Sequence, residues 1–193
     1  MSDYAAGVRR GGPGLAVWGM AMLIASEATL FGTLVGSYYY LRFSTLHWPP
    51  PGTPEPRVVV PLILAGILAT TSLPLQLAAM AARRARLWTA RFLLVWALVV
   101  QVGYLVYEVH DYAHQLHHSA PQDNAYSSIY YTLLGADHVH VAVGIVFVVW
   151  LLWKLLRGLT MYRLNAVQVV AFYWHAVNLL TLIVIGVLTS ATI

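Results

Sequence analysis

Glu27, Asp137, His138, His140, His175 and Asn178 stand inside long apolar runs, where ionisable and strongly polar groups are expensive and tend to mark function. Burial in hydrocarbon disfavours a charged carboxylate, so Glu27 reads either as a protonatable site or as a neutral, hydrogen-bonded acid joining two helices. His138 and His140 are two apart, about 200° around a helix, so they cannot ligate one ion; one is expected to face the bundle and the other a different partner. His140 and His175 lie on separate runs and offer the two axial nitrogens of a b-type haem, or else donate hydrogen bonds across helix interfaces. His110, His114, His117 and His118 recur at helical spacing beside Glu108 and Asp111. That spacing places imidazoles on one face, which suits zinc or copper and equally suits a solvated surface segment. There is no cysteine, which removes disulfides, thiolate metal sites, iron-sulfur clusters and covalent haem attachment. No Gly-rich phosphate loop, nucleophile with an adjacent base or catalytic triad is present, so no residue is assigned a catalytic role.

The elements that position these groups follow from composition. Of 193 residues 60% are apolar and only 9% charged, against about 25% charged in a soluble domain. So much apolar surface must face lipid. Runs of the roughly 20 apolar residues that a crossing needs fall at about 15–41, 58–82, 88–109, 127–156 and 167–191, predicting one all-α domain over 1–193, a polytopic bundle of five transmembrane helices. At about 1.5 Å per residue, Glu27 is roughly 20 Å from the start of its helix and His140 about as far from Lys154, with His175 and Asn178 roughly 12 to 17 Å in. The three polar sets therefore reach similar depths. Gly32 and Gly36 form a small-xxx-small pair that predicts a closely approaching helix. Gln101, Tyr104 and Glu108 make a polar stripe on one face of the third span.

Arg9 and Arg10 before the first run resemble a twin-arginine leader, but the run continues to Tyr38, Tyr39 and Tyr40, too long for a signal core, so the segment is expected to stay in the mature chain. Nine of the eleven positive charges, Arg9, Arg10, Arg83, Arg84, Arg86, Arg91, Lys154, Arg157 and Arg163, fall on one side, leaving Arg42 and Arg57 on the other. Cytoplasmic ends collect basic residues, which places the N-terminus inside and the C-terminus outside. The formal charge of +4 is spread in short clusters between spans, the pattern of membrane orientation and not of nucleic-acid binding. The Trp48-Pro49-Pro50-Pro51-Gly52 loop and the acid- and histidine-rich stretch from Glu108 to Asp123 are both expected on the outer surface.

Several stretches together resemble subunit III of the haem-copper respiratory oxidases, the cytochrome c and ubiquinol oxidase family, in its short five-helix form. Leu23-Ile24-Ala25-Ser26-Glu27 with Phe31, Tyr38 and then Trp48-Pro49-Pro50 is similar to that family's first shared helix and its exit. Asp123, Tyr126 and Gly135 through His140-Val141 to Gly144 form the second match, and Tyr173-Trp174-His175 the third. The resemblance implies an accessory, non-catalytic subunit of a proton-pumping terminal oxidase in a prokaryotic inner membrane. It would hold no haem or copper, which belong to partner subunits. It would pack beside subunit I with subunit II as a further partner, bind phospholipid, support proton uptake during oxygen reduction, and be open to supercomplex partners.

Glu27 matches the family's carbodiimide-reactive carboxylate, and Lys154 falls where the family often has an arginine near a lipid headgroup, keeping the charge without the bidentate fork. Where the family usually reads Gly-Phe-His-Gly-Leu-His, this chain has Gly135-Ala136-Asp137-His138-Val139-His140, so Asp137 replaces the first histidine. Asn178 replaces an aspartate, and Tyr104 a glutamate, with Glu108 a turn further on. One hypothesis is that Asp137 takes over the lost acid; unchanged assembly and turnover in Asp137→Asn would dismiss it. Glu27, Asp137, His140, His175 and Asn178 are thus the expected proton-related or interface residues. Alternative functions are an accessory protein of a nitric-oxide reductase, a b-type cytochrome using His140 and His175, or a proton-coupled transporter, for which no internal repeat is visible.

Overall fold

The computed structural model describes residues 15–53, 57–117, 119–158 and 160–190, and among them the regular elements are all helices. In chain order these are α1 (Leu15–Phe43), α2 (Val59–Thr70), α3 (Ser72–Arg83), α4 (Leu87–Leu116), α5 (Ala125–Leu156) and α6 (Met161–Thr189). α2 and α3 form one crossing, so five helices are long and apolar enough to span a membrane. The break between them has a local cause. Pro74 has no N–H for the carbonyl of Thr70, and its ring pushes that carbonyl away. Thr71 tightens the turn instead, with its N–H 2.9 Å and its hydroxyl 2.6 Å from the carbonyl of Leu68.

Two boundaries differ from the sequence expectation. α4 does not stop near 109 but continues to Leu116, because Gln115 hydrogen-bonds Asp111 one turn back and accepts from the Tyr130 hydroxyl of α5. Glu108 is therefore a buried helical residue and not part of an outer loop. α6 begins at Met161, where the Thr160 hydroxyl accepts from the N–H of Arg163 at 3.3 Å. The Arg163 guanidinium donates to the carbonyls of Arg157 and Gly158, both at 2.7 Å, and Gly158 supplies the positive φ of +92° that this short turn needs.

α5 and α6 pack together at the centre, α3 and α4 close one side, and α1 touches α5 and α6 alone among the described helices. The contact is sparse, since Phe31 and Tyr38 are the buried residues of α1. Trp48 folds back to fasten its end, donating to the Tyr38 hydroxyl at 3.1 Å and lying edge-on to both Tyr38 and Tyr126. Arg91 of α4 donates to the carbonyl of Leu155 at 2.6 Å, a last-turn carbonyl of α5 that also accepts from the N–H of Gly158 at 3.1 Å. The close approach predicted at Gly32 and Gly36 is not made among the described residues, because a Cβ at either would meet nothing within 4 Å. It occurs at Gly144, where a Cβ would come within 2.7 Å of the Trp174 indole.

The core has two apolar zones. One, around Leu75, Leu94, Leu151 and Trp174, lies toward the end that carries Arg83 and Arg157. The other, around Phe31, Tyr126, Leu133 and Ile185, lies toward the end that carries the Trp48 loop. Between them runs a polar layer. On α5, Asp137 falls between Leu134 and Val141; on α6, Asn178 and Thr181 fall between Val177 and Val184.

Candidate functional site

Two groups of polar side chains occupy the middle of the bundle, and α5 contributes to both. The first joins α1 to α5. His140 Nε2 is 2.6 Å from Glu27 Oε2, and its Nδ1 is 2.7 Å from the carbonyl of Ala136. A carbonyl only accepts, so Nδ1 carries a hydrogen. The remaining nitrogen then shares one proton with the carboxyl group, either as imidazole accepting from Glu27 or as imidazolium donating to it. Both forms are neutral overall and hold one proton. The pair is partly sheltered, with side-chain exposures of 16% for His140 and 24% for Glu27. Phe31 closes against the imidazole edge-on at 5.1 Å, and the Tyr173 hydroxyl donates to the backbone carbonyl of His140 at 3.0 Å.

The second group lies among α4, α5 and α6. Asp137 is fully buried and accepts from the Thr181 hydroxyl at 2.7 Å through Oδ1. His138 Nε2 is 3.5 Å from Glu108 Oε2, with the Tyr112 ring edge-on to the imidazole at 5.6 Å. Asn178 donates to the Ser72 hydroxyl at 2.7 Å, next to the Thr71 break. Gln101 and Tyr104, the rest of the stripe read on α4, are both buried.

The structure thus separates the expected site residues. His138 and His140 do point to different neighbours, α4 and α1 respectively. Glu27 meets His140, while Asp137 and Asn178 turn to α6 and α3 partners of their own. His175 belongs to neither group; its Nε2 is 3.3 Å from Gln76 Oε1 on α3. The haem pairing of His140 with His175 does not hold, since both ring nitrogens of His140 are engaged within the chain. Lys154 Nζ sits 5.4 Å from the ring centres of Trp150 and Trp153, a cation held over aromatic faces. His110, His114 and His117 are exposed on the α4 extension, and no three metal-ligating side chains converge among the described residues. His118, Arg9 and Arg10 lie outside the described residues.

Sequence reading missed Thr181, the hydroxyl partner of Asp137, and Ser72, the partner of Asn178. The available signals were weak: Thr181 lies one turn beyond Asn178, and Ser72 stands beside a mid-span proline.

Comparison with known proteins agrees with the motif pattern. The family model described as cytochrome c oxidase subunit III matches residues 5–188. The chain is 27% identical over 188 residues to cytochrome c oxidase subunit 3 of Thermostichus vulcanus, covering 93% of this chain and 89% of that protein. The corresponding figures are 29% over 169 residues for the Alkalihalophilus pseudofirmus protein of the same name, covering 83% and 79%. For Bacillus subtilis cytochrome c oxidase subunit 3 they are 26% over 163 residues, covering 83% and 78%.

Proposed function

We propose, since the chain belongs to the cytochrome c oxidase subunit III family, that it is the accessory, non-catalytic subunit of a proton-pumping haem-copper terminal oxidase in a bacterial plasma membrane. Haem and copper sit in the neighbouring subunits. This chain packs beside subunit I with its N-terminus inside, and Lys154, at the inner end of α5, faces a phospholipid headgroup. Its chemical contribution is to hold a proton within the membrane at the Glu27–His140 pair and so to support proton uptake by subunit I during sustained turnover. Asp137, His175 and Asn178 serve the helix interfaces that keep that pair in place.

The observation that carries this reading is the 2.6 Å contact between Glu27 and His140 with the second imidazole nitrogen fixed on Ala136. A protonatable pair on a sparsely packed helix, rather than in the deep core, is placed to respond to a neighbouring subunit. The test is affinity purification of the tagged chain in mild detergent, followed by turnover of what it brings down. A large multi-helix subunit with a haem a or haem o spectrum is expected, and Glu27→Gln should keep that assembly and its initial rate while hastening loss of activity during turnover. A chain that purifies alone and colourless would overturn the oxidase assignment. Unchanged inactivation in the variant would reduce Glu27 to a packing group.

A further inference from the structure

The Glu27–His140 pair leaves the second polar group unused, and that group is under-bonded. Asp137 Oδ2, the Tyr104 hydroxyl and both ends of the Gln101 amide have no hydrogen-bond partner among the described residues, although these residues are 0%, 4% and 0% exposed. Buried polar atoms are nearly always satisfied, by protein or by ordered water. Tyr104 lies between Gln101 and Glu108 on one face of α4, and its oxygen is within electrostatic reach of both Glu108 and Asp137. The 3.5 Å gap from His138 to Glu108 is itself long for a direct bond and suited to sharing water.

Glu108 links this group to the outside. Glu108 also lines a narrow cleft with Arg57, Asp111, Gln115, Tyr130 and Thr189, whose free volume of about 10 Å³ is close to the room one water needs. Arg57 and Asp111 close its mouth with a 2.7 Å ion pair, the arginine 56% and the aspartate 17% exposed. The mouth therefore reaches the aqueous face at the end that carries the Trp48 loop.

The charges around the two carboxyl groups do not balance. Glu108 faces His138, Tyr104, Tyr130 and the already paired Arg57 and Asp111. Asp137 faces His138, Glu108, Tyr104 and Tyr173, with His140 committed to Glu27. α3 offers only the neutral Ser72, through Asn178. Among the described residues His138 is thus the one potential cation beside both carboxyl groups that has no other partner, one imidazole against two acids.

We propose that Glu108, His138, Asp137 and Tyr104 form a hydrated proton-binding site inside this chain, distinct from Glu27–His140 and loaded through the Arg57–Asp111 cleft. The ligand is a proton carried by water. A hydronium ion gives up one O–H bond, whose electron pair stays on the departing water, as the carboxyl O–H forms; the reverse transfer to water returns the proton through the same cleft.

The test is infrared spectroscopy of the intact complex in vesicles of one orientation, following the carbonyl band of protonated carboxyl groups while the pH of each compartment is changed in turn. A band is expected that follows the pH at the loop end, persists in Glu27→Gln and is lost in Asp137→Asn. Thr181→Val, which removes the hydrogen bond to Asp137 while keeping shape, should shift that band without abolishing it, and decides the matter if Asp137→Asn fails to assemble. A band insensitive to Thr181→Val, one that follows only the pH at the opposite end, or one lost in Glu27→Gln would each overturn the proposal.

Discussion

Gly144→Ala is expected to loosen the junction of α5 and α6 through a single added carbon. A Cβ at this position would lie 2.7 Å and 2.8 Å from two carbons of the Trp174 indole and 3.1 Å from the Tyr173 ring. Ordinary contact begins near 3.4 Å, so the indole must retreat by roughly 0.7 Å. It has nowhere to go: Trp174 is fully buried, and its Nε1 donates to the Gly144 carbonyl at 3.2 Å, a bond that the retreat would stretch. Overpacking of this kind costs about 1–3 kcal/mol, and weakening the bond adds up to about 1 kcal/mol. Alanine in place of glycine returns about 1 kcal/mol of helix propensity. The net loss is about 2 kcal/mol, or roughly 4–8 °C in melting temperature for a chain of this size. The assay is a thermal melt of the detergent-solubilised complex, followed by tryptophan fluorescence and by the amount that still elutes as one species. Trp174→Phe removes the colliding ring atoms, so the double variant should lose less than the two single variants together. A Gly144→Ala protein that melts at or above the parent, or a strictly additive double variant, would refute the reasoning.

Glu27→Gln and His140→Gln should each cost about 1–3 kcal/mol by leaving the other partner without its proton-sharing contact. Their double variant should cost less than the sum, and a double-mutant cycle with no coupling would show that the pair contributes nothing to holding α1. Asn124 Oδ1 accepts from the N–H of Ser127 at 2.8 Å as the cap of α5, so Asn124→Ala is expected to lower stability by about 1 kcal/mol, read in the same melt. Coupling between Ser72 and Asn178 should be about 0.6 kcal/mol, the usual size of a hydrogen bond between membrane helices. A cycle of Ser72→Ala and Asn178→Ala that gave several times that value would mean the break at Thr71 depends on this bond.

The five crossings were legible because apolar length alone decides them, and the similar depths of Glu27 and His140 followed from helical rise. Their pairing was not legible, since depth says nothing about which way a helix is turned. The α4 extension escaped for a different reason: its residues are polar by composition, and what keeps them helical is Gln115 reaching Asp111 and Tyr130. Hydroxyl residues carry no signal of their partner. Thr29, Thr33 and Ser37 bond to carbonyls of their own helix, and nothing in the sequence distinguishes them from Thr181, which reaches Asp137 on another. The glycines gave the same difficulty, with Gly32 and Gly36 spaced for a close approach that the chain makes at Gly144 instead.

The rotation of α5 ties these observations together. At about 100° per residue, His138 leaves the helix about 100° from Asp137 and about 160° from His140, while Asp137 and His140 diverge by about 60°. They meet Thr181 on α6, Glu108 on α4 and Glu27 on α1. Only a helix with neighbours on all those sides can turn three ionisable groups within one turn toward three different helices, and α5 is packed against α1, α4 and α6. A small twist of α5 would therefore disturb all three pairings at once. Among them the Glu27 contact is the one least supported by surrounding packing, because α1 buries little else than Phe31 and Tyr38. Any neighbour that presses on the exposed side of α1 thus acts first on the shared proton of Glu27 and His140, while the Asp137 and Glu108 partners stay shielded behind α5.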